Sequence, residues 1–254
     1  MDIEIAAQSI WHEMQRKRHL PPEWRGRLSV PQAYAAQLAI LRRWVQAGDT
    51  QAGWKVGLTS AAMRLQQGVS EPCFGFLLDS GHLQSGVHLK YDDLIAPAFE
   101  NELCLTLGEA LRGPGVTFEM ARGAVAAMEP AFEIIEARGD FRADMALSLT
   151  DNAQHKAFVT GALVACNGQE AFDATQVQVL INGVERARAQ GTEVMGNPVH
   201  SIVWLANKLS EYGVVLERDM RIMTGSFTGQ FALARGDKVQ SCFEPLGAVA
   251  AAFY

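Results

Sequence analysis

Cysteine is scarce in this chain, and the few cysteines are widely separated. The 254 residues include only Cys73, Cys104, Cys166 and Cys242, and no two of them form a Cys-x-x-Cys pair. Zinc fingers and dithiol redox sites depend on such closely spaced pairs. The spacing therefore argues against both kinds of site and is typical of reduced thiols in a cytoplasmic protein.

The chain also lacks a long hydrophobic run, a basic N-terminus and an excess of positive charge. No apolar stretch reaches the roughly 18–20 residues that cross a bilayer, and Met1-Asp2-Ile3-Glu4 has no positive charge ahead of an apolar run, so we expect no signal peptide. Lys and Arg total 22 against 28 Asp and Glu, a net charge of −6. Negative charge disfavours nucleic acid or an anionic membrane as the main partner, so we expect neither and expect a cytoplasmic location.

The first 50 residues have the periodicity of helices. Apolar residues recur at helical spacing from Ile3 to Met14. A second helix is predicted from the N-cap residue Ser29 to Gly48. We therefore assign residues 1–50 to a helical N-terminal segment.

From residue 51 onward the pattern changes to short β-rich runs punctuated by glycine. These runs lie at residues 54–58, 74–78, 177–183, 221–225, 239–243 and 249–253. A few helices lie between them, one predicted from Phe118 to Met128. Many short strands without strict β-α-β alternation favour an α+β fold with a curved or barrel-like sheet. We expect residues 51–254 to form one such core.

Acidic residues interrupt two apolar segments near the middle of the chain. The first segment is predicted to be a strand, and because strand side chains alternate with period two, Glu100 and Glu102 project from the same face. Glu133 lies in the second segment, where a buried glutamate needs a partner. Three carboxylates on neighbouring strands would suit Mg²⁺ or Mn²⁺. The alternatives are a solvated edge strand and an ion pair of Glu133 with Arg138 or Lys55.

A series of short motifs follows one order from about residue 50 to the C-terminus. The motifs are Gly53-Trp54-Lys55-Val56-Gly57-Leu58-Thr59-Ser60, Glu71-Pro72-Cys73-Phe74-Gly75, Pro97 through Glu102, Pro130-Ala131-Phe132-Glu133-Ile134-Ile135, Thr150-Asp151-Asn152, Trp204-Leu205-Ala206-Asn207 and Thr224-Gly225-Ser226-Phe227-Thr228. In this order they resemble the 2-keto-4-pentenoate hydratase and 4-oxalocrotonate decarboxylase group of the fumarylacetoacetate hydrolase superfamily.

The resemblance implies a mixed β-sheet rolled into a barrel-like core, and homo-oligomers that could also associate with a neighbouring enzyme of the pathway. It implies that Glu100, Glu102 and Glu133 ligate one Mg²⁺ or Mn²⁺ ion. Lys55 matches the active-site lysine of the family, which acts in acid–base catalysis or stabilises an enolate. The alternative for Lys55 is an exposed lysine on a surface strand.

Other residues receive roles from the same resemblance. Thr224, Gly225 and Ser226 match a loop that holds the substrate carboxylate, and a strand-ending turn is the alternative. Asp151 is expected among the substrate-binding residues, close to the metal or in an ordered loop. Phe74 is expected in the core or in the wall of the substrate pocket. His155 is a candidate proton shuttle, although a packed or surface histidine is the favoured interpretation.

The activity implied by the resemblance is hydration of a 2-hydroxy-2,4-dienoate to a 4-hydroxy-2-oxo acid, in meta-cleavage catabolism of aromatic compounds. One position departs from the family pattern, because Cys73 replaces a common aspartate that is a candidate for handling water. The departure keeps open the decarboxylation of a 4-oxalocrotonate-type 2-oxo diacid, which needs no activated water. A related hydrolase or tautomerase and a catalytically silent partner subunit are the remaining alternatives.

Overall fold

A computed structural model describes residues 3–254 of the chain. The helices are α1 (Ile3–Gln15), α2 (Val30–Gln46), α3 (Ala61–Gln67), α4 (Phe118–Ala124), α5 (Met145–Thr150) and α6 (Val199–Ser210). The strands are β1 (Gln51–Gly57), β2 (Cys73–Leu78), β3 (His82–Gln84), β4 (Val87–Leu89), β5 (Pro97–Leu107), β6 (Val125–Glu136), β7 (His155–Thr160), β8 (Val164–Ala165), β9 (Gln176–Ile181), β10 (Val184–Gln190), β11 (Arg221–Met223), β12 (Phe231–Ala232), β13 (Lys238–Glu244) and β14 (Gly247–Phe253).

The larger of two sheets is mixed and strongly curved. Its strand order is β2-β1-β11-β5-β6-β7-β3, with β12 beside β5 and β8 beside β6. Strands β1 and β11 run parallel, as do β3 and β7, and the other neighbours are antiparallel. The two end strands, β2 and β3, are joined by only three residues, 79–81, so the sheet must curl round to bring its ends together. The predicted α+β fold with a barrel-like mixed sheet is confirmed.

Strands β5 and β6 form a long antiparallel pair whose side chains alternate between the two faces of this sheet. Glu100 is opposite Glu133 and Glu102 is opposite Ala131, so these side chains point to the concave face. That face also carries a small apolar cluster of Ala52, Leu77, Cys104, Ala131, Phe158 and Met223. The convex face contributes Phe99 and Phe132 to the main hydrophobic core, which the helices cover.

Helices α1 and α2 pack together and against the convex face of the sheet. The side chain of Gln32 accepts the backbone N–H of Ser29, which caps α2 where the sequence predicted its start. The ring of Tyr34 on α2 stacks on Phe74 of β2, with centroids 4.1 Å apart. One hydrophobic core includes residues of both helices and of the sheet. The division of the chain into a helical segment, 1–50, and a catalytic core, 51–254, stays a prediction.

The second sheet has five strands in the order β10-β9-β13-β14-β4 and packs against β6 and β7. Within residues 3–254 no helix combines the length and hydropathy that crossing a membrane requires.

The helix predicted from Phe118 to Met128 is shorter in the structure. Helix α4 ends at Ala124, and β6 begins at Val125. Val125 and Ala127 pair with β5, so backbone hydrogen bonds to a distant strand override the helical propensity of this alanine-rich stretch.

Candidate metal centre and active site

Three glutamates meet on the concave face of the large sheet. One carboxylate oxygen from each of Glu100, Glu102 and Glu133 lies within 4.8 Å of the other two. Glu102 and Glu133 are fully buried, and Glu100 is half-buried. The alternation of β5 puts the first two on one face, and the register with β6 brings the third opposite them.

The protein itself balances only part of this negative charge. Glu102 Oε1 and Glu133 Oε2 are buried and accept no hydrogen bond from any described residue. Burial and the charge of Glu133 raise the pKa of Glu100 to about 7. The same two causes raise the pKa of Glu102 well above its ordinary value. Carboxylates without a partner in an apolar interior are costly, so the cluster has the chemistry of a cation site.

The donor set fits a hard divalent cation. Mg²⁺ and Mn²⁺ prefer carboxylate oxygens and retain positions for water or substrate when the protein supplies only a few ligands. Glu102 and Glu133 each have one buried oxygen without a hydrogen-bond partner among the described residues. Such an ion would supply the positive partner that these two carboxylates need.

Lys55 is the cation that the chain places beside the carboxylates. Its Nζ lies 3.3 Å from Glu133 Oε1 and donates to the carbonyl oxygen of Ala153, also at 3.3 Å. The side chain is 5% exposed, which excludes the surface-strand alternative. Burial alone would lower the pKa of Lys55, but the charge of Glu133, with Cys73, Glu100 and Glu102, raises it above the ordinary value. Lys55 is therefore an ammonium group at neutral pH.

His155 reaches the same glutamate from the strand β7. Its Nδ1 lies 2.8 Å from Glu133 Oε1. Burial lowers the pKa of His155 although the hydrogen bond to Glu133 opposes the shift, so the ring is neutral and Nδ1 carries the proton that it donates. The favoured interpretation of a packed histidine fits its burial, but pattern analysis missed the contact with Glu133.

The loop after β11 orients one of the glutamates. The backbone N–H of Gly225 donates to Glu102 Oε2 at 2.8 Å. Gly225 has φ +105°, and a Cβ there would lie 2.4 Å from Thr59 Cγ2, so only glycine fits. Neighbouring hydroxyls bond to β5: Thr224 Oγ1 donates to the carbonyl oxygen of Leu103, and Ser226 Oγ lies 3.5 Å from that of Asn101. The loop lies at the predicted site, and its contact with substrate stays a prediction.

Asp151 belongs to a different buried cluster. Arg138 Nε donates to both of its carboxylate oxygens, at 3.0 and 2.9 Å. Arg138 Nη1 donates to Glu136 Oε2 at 2.5 Å. Glu133 is thus paired with Lys55, and the alternative pair with Arg138 is not formed. A role for Asp151 in binding substrate stays a prediction, and any such role would need Asp151 to exchange Arg138 for a new partner.

Phe74 and Cys73 lie on opposite faces of β2. Phe74 pairs in register with Val56 and packs in the convex core, so the structure does not bring it to the glutamates. Cys73 pairs with Gly57 and is buried close to Lys55. Burial raises the pKa of the Cys73 thiol to about 11, with Lys55 opposing the shift. The thiol is therefore neutral at physiological pH.

Two contacts in the site could not be predicted from sequence patterns. The contact of His155 with Glu133 depends on an irregularity in the register between Ile134 and Ile135. The contact of the Ala153 carbonyl oxygen with Lys55 depends on a left-handed turn formed by residues that are not glycine. The only local signal for either was the Asp151-Asn152 dipeptide just before the strand.

Comparisons with known proteins identify the family of the chain. Residues 71–253 match the model of the fumarylacetoacetate (FAA) hydrolase C-terminal family. The chain is 31% identical to a 2-hydroxyhexa-2,4-dienoate hydratase from Comamonas testosteroni, over 96% of this chain and 95% of the relative. It is 34% identical to a 4-oxalocrotonate decarboxylase from Pseudomonas putida, over 87% and 84%.

A solved structure is similar over almost the whole chain. The 4-oxalocrotonate decarboxylase of Pseudomonas putida G7, complexed with magnesium and adipate, superposes with a TM-score of 0.94 at 29% identity, covering 99% of this chain and 97% of that one. Structural similarity at this level extends to the N-terminal helices, which precede the residues that the family model matches. The chain belongs to the fumarylacetoacetate hydrolase family.

Proposed function

We propose that this protein is a Mg²⁺-dependent hydratase that converts a 2-hydroxy-2,4-dienoate to a 4-hydroxy-2-oxo acid in aromatic catabolism. The observation that carries the proposal is the buried cluster of Glu100, Glu102 and Glu133, whose negative charge the ammonium group of Lys55 balances only in part. Similarity over 96% of the chain to a dienoate hydratase supports this choice of substrate. Mn²⁺ is the alternative metal.

Glu100, Glu102 and Glu133 are the residues that would hold the metal. Bound there, Mg²⁺ would act as a Lewis acid that stabilises negative charge on the oxygens of a 2-oxo acid. The backbone N–H of Gly225 keeps Glu102 oriented, and His155 with Lys55 keeps Glu133 oriented. Such outer hydrogen bonds fix the direction of each carboxylate.

Lys55 is the residue proposed to stabilise the negative charge that develops on the substrate. The reaction begins when the dienol loses its hydroxyl proton and gains one at C5, which gives an enone with its double bond between C3 and C4. Water then adds its oxygen to C4, and C3 takes a proton. Each step places negative charge on the C2 oxygen for a time, and a buried ammonium at Nζ stabilises that charge strongly because little water screens it.

Decarboxylation of a 2-oxo diacid is the second candidate, and one observation favours it. The neutral thiol of Cys73 cannot act as a base toward water at physiological pH. Loss of carbon dioxide needs an electron sink at the 2-oxo group but no activated water. The 34% identity to a 4-oxalocrotonate decarboxylase is compatible with this reaction.

We also propose that the protein works in the cytoplasm, as a homo-oligomer, on a small-molecule acid. The charge balance and the family resemblance support these proposals. Sedimentation velocity of the purified protein tests the oligomer, and a single species at the mass of one chain contradicts it.

Mass spectrometry of products tests the proposed reaction. Purified protein with Mg²⁺ is incubated with 2-hydroxypentadienoate and, separately, with 4-oxalocrotonate. We expect a metal-dependent gain of one water on the first substrate. The Glu100→Gln variant should show no such gain. Loss of carbon dioxide from the second substrate alone would assign the decarboxylase instead. No change in either substrate contradicts both assignments.

A further inference from the structure

Three consecutive residues before β7 adopt the left-handed conformation, although none is glycine. Asn152, Ala153 and Gln154 have φ values of 56°, 49° and 64°. Such backbone is strained for residues with a Cβ and persists only where the surroundings hold it, most often at functional sites. All three residues are buried, so their surroundings can be named.

The side chain of Asn152 substitutes for a missing strand neighbour. Asn152 Oδ1 accepts the backbone N–H of Phe76 at 2.7 Å, and Nδ2 donates to the carbonyl oxygen of Phe76 at 2.8 Å. These are the two bonds that a neighbouring strand makes with one residue. Strand β2 pairs with β1 on one side only, so this amide closes the seam of the curled sheet between β2 and the residues that precede β7.

The residues that flank the turn are held by one guanidinium group. Arg138 Nη2 lies 3.5 Å from the carbonyl oxygen of Asp151 and 3.2 Å from that of His155. The side chain of Gln154 donates to the carbonyl oxygen of Gly139 at 2.8 Å. The turn is therefore held through both flanking residues, Asp151 and His155, and through the side chains of its first and last residues, Asn152 and Gln154.

This turn contacts Lys55 through one backbone group. The carbonyl oxygen of Ala153 accepts a hydrogen bond from Lys55 Nζ at 3.3 Å. The amide of Asn152 and the stem of Lys55 also lie over the same residue of β2: a Cβ added to Gly75 would be 2.7 Å from Asn152 Oδ1 and 3.2 Å from Lys55 Cε. Asn152 thus fixes the turn, and the Ala153 carbonyl of that turn limits where the ammonium group can point.

We propose that Asn152 is a positioning residue for Lys55: its amide holds the left-handed turn that keeps the lysine ammonium over Glu133. The inference rests on the proposed function, because it assigns the turn to the lysine of that site. A residue that only closed the seam would affect the stability of the fold and would not act through Lys55.

The test compares two asparagines that share a backbone conformation. Asn152→Gly removes the amide but still permits the left-handed φ without steric cost, so the variant introduces no clash of its own. Asn182→Gly is the matched control, because Asn182 has φ 54° and bonds to Asp237 in a distant hairpin. We expect Asn152→Gly to lower kcat about 10–100-fold, the scale of a small misplacement of a catalytic group. KM and the Kd for Mg²⁺, measured by calorimetry, should stay within about twofold. Asn182→Gly should leave kcat unchanged.

A double-mutant cycle separates positioning from a purely structural role. In a Lys55→Met background, Asn152→Gly should cost almost nothing further, because the group on which it acts is gone. An equal loss of kcat in both backgrounds would overturn the inference. So would a changed Kd for Mg²⁺, because the variant would then disturb the carboxylates.

Crystal structures keep the inference testable if the proposed reaction fails. Absence of turnover in the wild-type protein would contradict the proposed function alone. In that case the structure of Asn152→Gly decides: departure of Lys55 Nζ from hydrogen-bond distance of the Ala153 carbonyl supports positioning. A lysine that keeps its contacts with Ala153 and Glu133 overturns it.

Discussion

Two of the buried charge clusters among residues 3–254 differ in how their polar atoms are partnered. In the first, three carboxylates face one ammonium group, and oxygens of Glu102 and Glu133 are left without hydrogen bonds among the described residues. In the second, Arg138 pairs with Asp151 and Glu136, with Lys156 at 3.6 Å from Glu136, and every charged atom of Arg138, Asp151 and Glu136 has a partner.

The comparison shows how to tell a binding site from a structural ion pair. Both clusters are buried and contain carboxylates, so burial alone does not separate them. The difference is whether the protein satisfies its own polar groups. The satisfied cluster anchors the segment that leads into β7, and the unsatisfied one has the donor set that suits a divalent cation.

The largest effect is expected from breaking the satisfied cluster. Arg138→Met leaves the buried carboxylates of Asp151 and Glu136 without a partner, which costs about 3–5 kcal/mol of unfolding free energy for pairs of this kind. Urea unfolding measures the change. Arg188→Met is the control, because its pair with Glu185 is exposed and its loss should change stability little. Equal effects of the two variants would show that the buried cluster is not structural.

Binding of Mg²⁺ is expected to stabilise the fold. At a free Mg²⁺ concentration of about 100 times Kd, binding to the folded state alone contributes about 2.7 kcal/mol. For a chain of this size that raises Tm by roughly 5–10 °C. Differential scanning calorimetry with Mg²⁺ and with EDTA measures the shift, and equal Tm values would indicate that the folded protein has no specific site.

Mg²⁺ affinity should depend on pH near neutrality. Burial and Glu133 raise the pKa of Glu100 to about 7, and the metal requires the carboxylate. Affinity should therefore fall about tenfold per pH unit below 7 if one proton is displaced. For the metal-free protein the sign is opposite: the protonated form is favoured in the folded state, so the contribution of Glu100 to stability is greatest below pH 4.5 and is lost as pH rises towards 7. Calorimetric titrations from pH 5.5 to 8 check the first trend.

The smallest effect on stability is expected from relieving the unsatisfied cluster. Glu102→Gln keeps an oxygen that can accept the N–H of Gly225 and removes one of three crowded carboxylates. The metal-free variant should be as stable as the wild type or up to about 1 kcal/mol more stable, because like charges no longer oppose one another. Urea unfolding in EDTA measures this, and a clear loss of stability would argue that Glu102 has a structural partner.

Local rules were enough to predict the parts of this site that lie within one strand. The period of two placed Glu100 and Glu102 on one face, and the apolar surroundings of Glu133 indicated a buried carboxylate. The spatial meeting of Glu133 with the other two depends on the register between β5 and β6, which a single sequence does not contain. The family resemblance supplied that link.

The elements that resisted prediction are those in which tertiary contacts override local preference. The alanine-rich residues 125–128 favour a helix but complete the ladder with β5. Asn152, Ala153 and Gln154 would not be expected in left-handed backbone, and the contacts of Phe76 and Arg138 hold them there.

A titration of Mn²⁺ followed by electron paramagnetic resonance tests the central claim most directly, because bound Mn²⁺ loses the sharp signal of the free ion. The account predicts one bound ion per chain in the wild type, none in a Glu100→Gln/Glu102→Gln double variant, and one in Arg188→Met. Binding that survives in the double variant, or no binding in the wild type, would contradict a metal centre at these glutamates.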